Sequence, residues 1–162
     1  MAAPAQAILS GDVPQQLAFS SGEKRIRTVV VDDSETFLEV ACELLELDPL
    51  VDLIARAGKG GQAIETVMKL KPDLVPMDVH MSYLDGLTLA WFFAQRFPAA
   101  RVVLMSTDNT PELREACEQS GALDFVHKEN FRQEFRAALE RVFSCAEGPW
   151  PIPSMQAISA QY

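Results

Sequence analysis

Five side chains in this sequence have the types and positions to move a phosphoryl group. Asp32 and Asp33 follow the apolar run Thr28-Val-Val-Val31, and Asp78 ends Asp73-Leu-Val-Pro-Met-Asp78. Ser106 ends Arg101-Val-Val-Leu-Met-Ser106, and Lys128 comes just past Ala122-Leu-Asp-Phe-Val126. Three carboxylates brought together repel one another and raise each other's pKa values. A hard divalent cation relieves that repulsion, and Mg²⁺ takes oxygen ligands at such sites. Mg²⁺ held by carboxylates also neutralises phosphoryl oxygens. Lys128 adds a second positive charge and Ser106 a hydrogen-bond donor. The set is equipped to transfer a phosphoryl group onto a carboxylate nucleophile.

These residues meet only if each run is a strand and the strands lie side by side. Short β-branched runs read as buried strands, and Val51-Asp-Leu-Ile-Ala55 supplies one more. Helical spacing fills the intervals. Phe37, Ala41, Leu44 and Leu45 follow Ser34, a good N-cap, and stop at Asp48-Pro49. Ala63, Ile64, Val67 and Met68 mark a second helix, and Leu87 to Phe93 a third. Thr110-Pro111 starts a fourth, with Gly121 at its end. Asn130 with Gln133 reads as a capping box for a fifth, whose stripe is Phe135, Leu139, Val142 and Phe143. Five strands alternating with five helices imply βαβ crossovers and a parallel sheet. The ligand site of such a sheet lies beyond the C-terminal ends of its strands, where the five side chains fall.

Composition sets the remaining bounds. The 162 residues carry 14 Lys+Arg and 23 Asp+Glu, a net charge of −9. That balance opposes a nucleic-acid interface, which needs a basic footprint, and an anionic membrane surface. No apolar run reaches the length of a membrane span. The first 20 residues hold no Lys or Arg, unlike a secretory signal. Cys42, Cys117 and Cys145 show no metal spacing and read as reduced thiols of a cytoplasmic protein. Prolines concentrate at the ends, so residues 1–22 and 146–162 read as tails around a domain of residues 23–145.

In order along the chain, Val29-Val-Val-Asp-Asp33, Pro72-Asp-Leu-Val-Pro-Met-Asp78, Met81 with Leu84-Asp-Gly86, Val102-Val-Leu-Met-Ser106 and Gly121-Ala-Leu-Asp-Phe-Val-His-Lys128 form a recognisable series. It resembles the receiver domain of bacterial two-component response regulators over about residues 26–144. The resemblance implies a flavodoxin-like (βα)5 doubly wound parallel sheet with strand order 2-1-3-4-5. It implies Asp78 as phosphoacceptor and Mg²⁺ as cofactor. Asp33 would ligate the ion directly, Asp32 mainly through water, and the backbone carbonyl of His80 would add a ligand. Ser106 and Lys128 would bind the phosphoryl group. Phe125 holds the family's aromatic switch position and would move inward with Ser106. The output face would be the fourth helix, fifth strand and fifth helix, with a protein effector or a homodimer as its target. The phosphoryl donor would be a sensor histidine kinase or a histidine phosphotransfer protein. The domain itself would be a signalling module rather than an enzyme.

Several residues depart from the family pattern. Ser82 stands where Pro is common, which predicts a looser loop after Asp78. Glu129 stands where Pro often follows the Lys in a cis bond. A cis bond to a non-proline residue costs about 3–4 kcal/mol, so a trans bond is expected. Thr107 is bulkier than usual and is expected to narrow access to Asp78. Pro76 lacks a ladder N–H inside a central strand, which predicts a bulge just before Asp78. His80 is a candidate for tuning phosphate lifetime, and His127 is expected to point away. The Trp91-Phe-Phe93 run is expected to be buried. Two further readings are a degenerate receiver that acts by its surface alone and a receiver cut from a DNA-binding regulator. An aspartyl-phosphate hydrolase of the haloacid dehalogenase type ranks last, because the first strand gives Asp32-Asp33-Ser34 and not Asp-x-Asp.

Overall fold

In the computed structural model, which describes residues 24–144, the alternation of apolar residues becomes the two faces of one sheet. The strands are β1 (Ile26–Val31), β2 (Val51–Ala57), β3 (Leu74–Asp78), β4 (Arg101–Ser106) and β5 (Asp124–His127). All pair in parallel, in the order β2-β1-β3-β4-β5. The helices are α1 (Glu35–Glu46), α2 (Gly60–Leu70), α3 (Gly86–Arg96), α4 (Pro111–Gln119) and α5 (Phe131–Ser144).

Side chains of a strand point alternately to opposite faces. Val30, Leu74, Val103, Met105 and Val126 therefore pack with Leu38, Ala41 and Leu45 of α1 and with Phe135, Leu139 and Val142 of α5. Val29, Val31, Val75, Met77, Val102 and Leu104 pack on the other face with Val67 of α2, Phe93 of α3 and Cys117 of α4. Each fully buried side chain of this size contributes about 1.5–3 kcal/mol. Met77, Met81 and Met105 belong to this packing. In the aromatic run Phe93 is buried and Trp91 and Phe92 are half-buried.

Side-chain caps start α1, α3 and α4 on the side where the strands end, whereas α2 starts at Lys59 without one. The Ser34 side chain accepts from Phe37 N–H, Asp85 from Thr88 N–H, and Thr110 from Leu113 N–H with Pro111 just inside. Gly121 takes a φ of 88° after α4, as a helix-terminating glycine does. The fifth start differs from expectation. Lys128–Asn130 forms a 3-10 turn, so Asn130 is not an extended N-cap. Glu134 serves instead, accepting from His127 N–H and from the Asn130 amide.

Pro76 makes no bulge. β3 runs unbroken through it and pairs with β4 in continuous register, Pro76 opposite Val103. Val79 N–H donates to Met105 on the β4 side, and alternation then turns position 76 toward β1. The missing N–H falls on that side, while Thr28–Leu74 and Val31–Met77 keep the β1 pairing in step on either side of it. The sheet's irregularity lies elsewhere, between Thr28 and Val29 against β2. Cys42 and Cys117 are free thiols. Cys145, both proposed tails and the domain's expected outer limits lie outside the described residues.

Candidate phosphoacceptor site

The C-terminal edge of the sheet gathers Asp32, Asp33 and Asp78, with one carboxylate oxygen from each lying within 4.8 Å of the others. Asp32 is fully buried and Asp78 nearly so, whereas Asp33 is exposed. Asp32 is fixed by its own N–H to Ala57 O and by its Oδ1, which accepts from Ser34 N–H at 2.9 Å. Lys128 Nζ enters the cluster at 2.5 Å from Asp32 Oδ2 and 2.8 Å from Asp78 Oδ1. By the same strand alternation, residues 32, 78 and 128 share the face of α1 and α5, which explains their meeting.

The Lys128–Glu129 bond is trans, as expected, since the described residues include no cis peptide. Lys128 is aimed by other means. Its Nζ lies 4.5 Å from the centroid of the Phe37 ring, on the first turns of α1. Phe37 meets Phe131 edge-on at 5.5 Å, and Phe131 stacks on Phe135. A cation over an aromatic face gains about 0.5–2 kcal/mol, more when desolvated. Sequence reasoning passed over Phe37 because an apolar residue at helical spacing reads as core.

Electrostatics follow from this crowding. Burial pushes the Asp78 carboxyl up to about 6; Asp32 and Asp33 add to the push and Lys128 opposes it. Asp33 is held below the ordinary carboxylate range, chiefly because its carboxylate accepts from Ser82 N–H. One ammonium does not balance three carboxylates. Asp32 Oδ2 and Asp78 Oδ1 share that single ammonium. A cluster of three hard carboxylate donors with excess negative charge fits Mg²⁺.

Ser106 is fully buried at the end of β4, and its Oγ accepts from Asp108 N–H at 3.0 Å. Thr107 is exposed, and its carbonyl bonds the His127 ring, which thereby lies on the β4–β5 side rather than in the acidic cluster. His80 is exposed, with Nε2 3.5 Å from Asp108 Oδ2. Glu129 is exposed in the 3-10 turn. Phe125 is only 6% exposed, so any inward switch starts from a ring already inside. Arg114 of α4 covers it at 4.7 Å, and Arg141 ties β5 to α5 through Asp124 at 2.6 Å.

Two residues of the loop after Asp78 matter more than their sequence suggested. Ser82 does not loosen the loop. Its N–H and hydroxyl both donate to Asp33 Oδ2, at 2.7 and 2.9 Å. Gly86, which entered the sequence reading only as part of the Leu84-Asp-Gly86 series, packs its backbone onto Asp78. A Cβ there would lie 2.1 Å from Asp78 O, and Gly86 N–H donates to Val79 O at 2.8 Å. The available signal was a glycine in the first turn of an apolar helix, where it is a poor helix former and so has a packing reason.

Residues 28–140 match the family described as the response regulator receiver domain. The chain belongs to the response regulator receiver family, in which phosphorylation and Mg²⁺ binding are general features. A protein-glutamate methylesterase/protein-glutamine glutaminase from Symbiobacterium thermophilum is 40% identical over 110 residues, covering 65% of this chain and 30% of that protein. One from Carboxydothermus hydrogenoformans is 37% identical over 106 residues, covering 64% of this chain and 30% of that protein. The chain thus spans about a third of the length of these curated relatives. Among solved structures, the signal receiver domain of NarL from Mycobacterium tuberculosis aligns with a TM-score of 0.68 at 29% identity, covering 78% of this chain and 99% of that one. The response regulator domain of Thermotoga maritima CheB aligns at 0.69 and 23% identity, over 76% of this chain and 100% of that one, which speaks to the fold alone.

Proposed function

We propose that the chain accepts a phosphoryl group from a phosphohistidine onto Asp78. The observation that supports this best is the placement of Asp78 Oδ1 against Lys128 Nζ, inside a three-carboxylate cluster at the sheet edge. Asp32, Asp33, Asp78 and the His80 carbonyl would hold Mg²⁺. When bound, that ion neutralises the equatorial phosphoryl oxygens. The ionised Asp78 carboxylate attacks phosphorus as the phosphorus–nitrogen bond of the donor breaks, and the donor imidazole leaves with its nitrogen free to take a proton. Lys128 turns from Asp78 to the incoming oxygens and keeps its seat on Phe37. Ser106 Oγ donates to the same group. The donor would be a sensor histidine kinase or a histidine phosphotransfer protein. The readout would be protein contact through α4, β5 and α5, where Arg114, Phe125 and Arg141 lie together.

A second reading concerns the whole protein. The curated relatives are about three times the matched length, which favours a receiver belonging to a longer regulator. Its effector would then determine whether the whole protein is an enzyme or binds DNA.

The test is intact mass after treatment with acetyl phosphate or phosphoramidate, with and without Mg²⁺, on wild type and Asp78→Asn. A single Mg²⁺-dependent phosphoryl adduct, absent from D78N, is the expected result. A folded, adduct-free wild type that also fails to bind Mg²⁺ would favour the phosphorylation-independent module.

A further inference from the structure

Asp33 is the exposed member of the acidic cluster, and nothing in the core holds it. A free carboxylate at the surface samples several rotamers, and fixing one costs conformational entropy. Here two donors fix it, both from Ser82 and both on Oδ2, which leaves Oδ1 with its lone pairs for a cation. The donors belong to a loop anchored at its other end, where Gly86 N–H closes onto Val79 O. The next residue, Tyr83, is fully exposed and takes a φ of 73°, which a bulky side chain adopts only when its surroundings impose it. The loop therefore accepts an unfavourable backbone geometry one residue beyond its contact with Asp33.

We propose that Ser82 is a positioning residue for the cation site: through Oδ2 it holds Asp33 in the orientation that ligates Mg²⁺, and so joins metal binding to the conformation of the loop at residues 79–85. The inference rests on the metal reading given above. Its chemistry needs a side-chain hydroxyl beside a backbone N–H. Proline, common at this place in receivers, lacks the N–H; alanine keeps the N–H and lacks the hydroxyl; threonine keeps both. Hydrogen bonds to a ligating carboxylate orient it, and losing such a partner typically weakens metal affinity 10–100-fold. The low pKa of Asp33 accords with the same contact.

The experiment is calorimetric titration of the full chain with MgCl₂, for wild type, Ser82→Ala and Ser82→Thr, beside the melting temperature of each without metal. Expected is a dissociation constant about tenfold weaker for S82A, recovery in S82T, and metal-free melting temperatures that stay together. Metal-free melting separates positioning from a general structural role, which would lower stability and affinity alike. S82A binding Mg²⁺ as tightly as wild type, or more tightly, would overturn the inference and make the Ser82 contact a competitor of the cation. Failure of wild type to bind Mg²⁺ would instead sink the metal reading, and this inference with it.

Discussion

Burial of Asp78 gives the fold a pH dependence. A carboxyl of this kind titrates near 4 in an unfolded chain and is pushed up to about 6 here. The folded state binds more protons between those values. The contribution of Asp78 to stability is therefore fully present below about 4 and is lost as the pH rises through about 6. At pH 7.5 the ionised group costs at most about 3 kcal/mol. Asp78→Asn removes that cost while Lys128 keeps Asp32 as its partner. Without Mg²⁺, D78N is expected to melt higher than wild type at pH 7.5, with a smaller advantage at pH 4.5; an equal difference at both would count against the argument. Residue types and strand ends made Asp32, Asp33, Asp78, Ser106 and Lys128 legible from sequence. The aim of Lys128 was not, because it depends on a ring, Phe37, brought alongside by tertiary packing. Nor was the Ser82 contact, since hydrogen bonds across 49 positions leave no local pattern.

The element most exposed to a single change is the start of α3. Asp85 caps it, accepting from both the amide and the hydroxyl of Thr88; truncating such a cap costs about 1 kcal/mol. Gly86 is less forgiving, because its added Cβ would collide with the backbone of Asp78 itself. Gly86→Ala is expected to lower stability by about 1–3 kcal/mol or more and to shift Asp78, cutting the phosphoryl adduct in a mass assay even where the protein stays folded. An unchanged adduct yield would show that the loop absorbs the methyl group. The five strands and five helices were readable from their apolar periods, with caps adding to the signal at α1, α3 and α4. The expected bulge at Pro76 failed for a reason of the same kind: the rule that proline breaks a ladder holds per neighbour, and here it falls on the β1 side alone. The true irregularity, between Thr28 and Val29, had no such marker in the sequence.

At the scale of the whole molecule, a net charge of −9 and a site with three carboxylates to one lysine give the folded chain a local excess of negative charge that suits a divalent cation. A ligand that binds only the folded state stabilises it by mass action, about 2.7 kcal/mol at a hundred times its dissociation constant. Mg²⁺ is expected to raise the melting temperature of wild type and to do so far less for Asp33→Asn; equal shifts in a differential scan would refute site-specific binding. Lys128 follows the edge strand β5, yet its charge reaches across the end of β4 to β3 and β1. The acids are thus translated early and their counter-charge late. Until β5 is in place, the carboxylates at the ends of β1 and β3 lack the Lys128 counter-charge that the folded chain gives them. A soluble cation can stand in during that interval, so refolding followed by stopped-flow should run faster in Mg²⁺ than in its absence, and the lysine should act as a latch on the order in which the sheet closes.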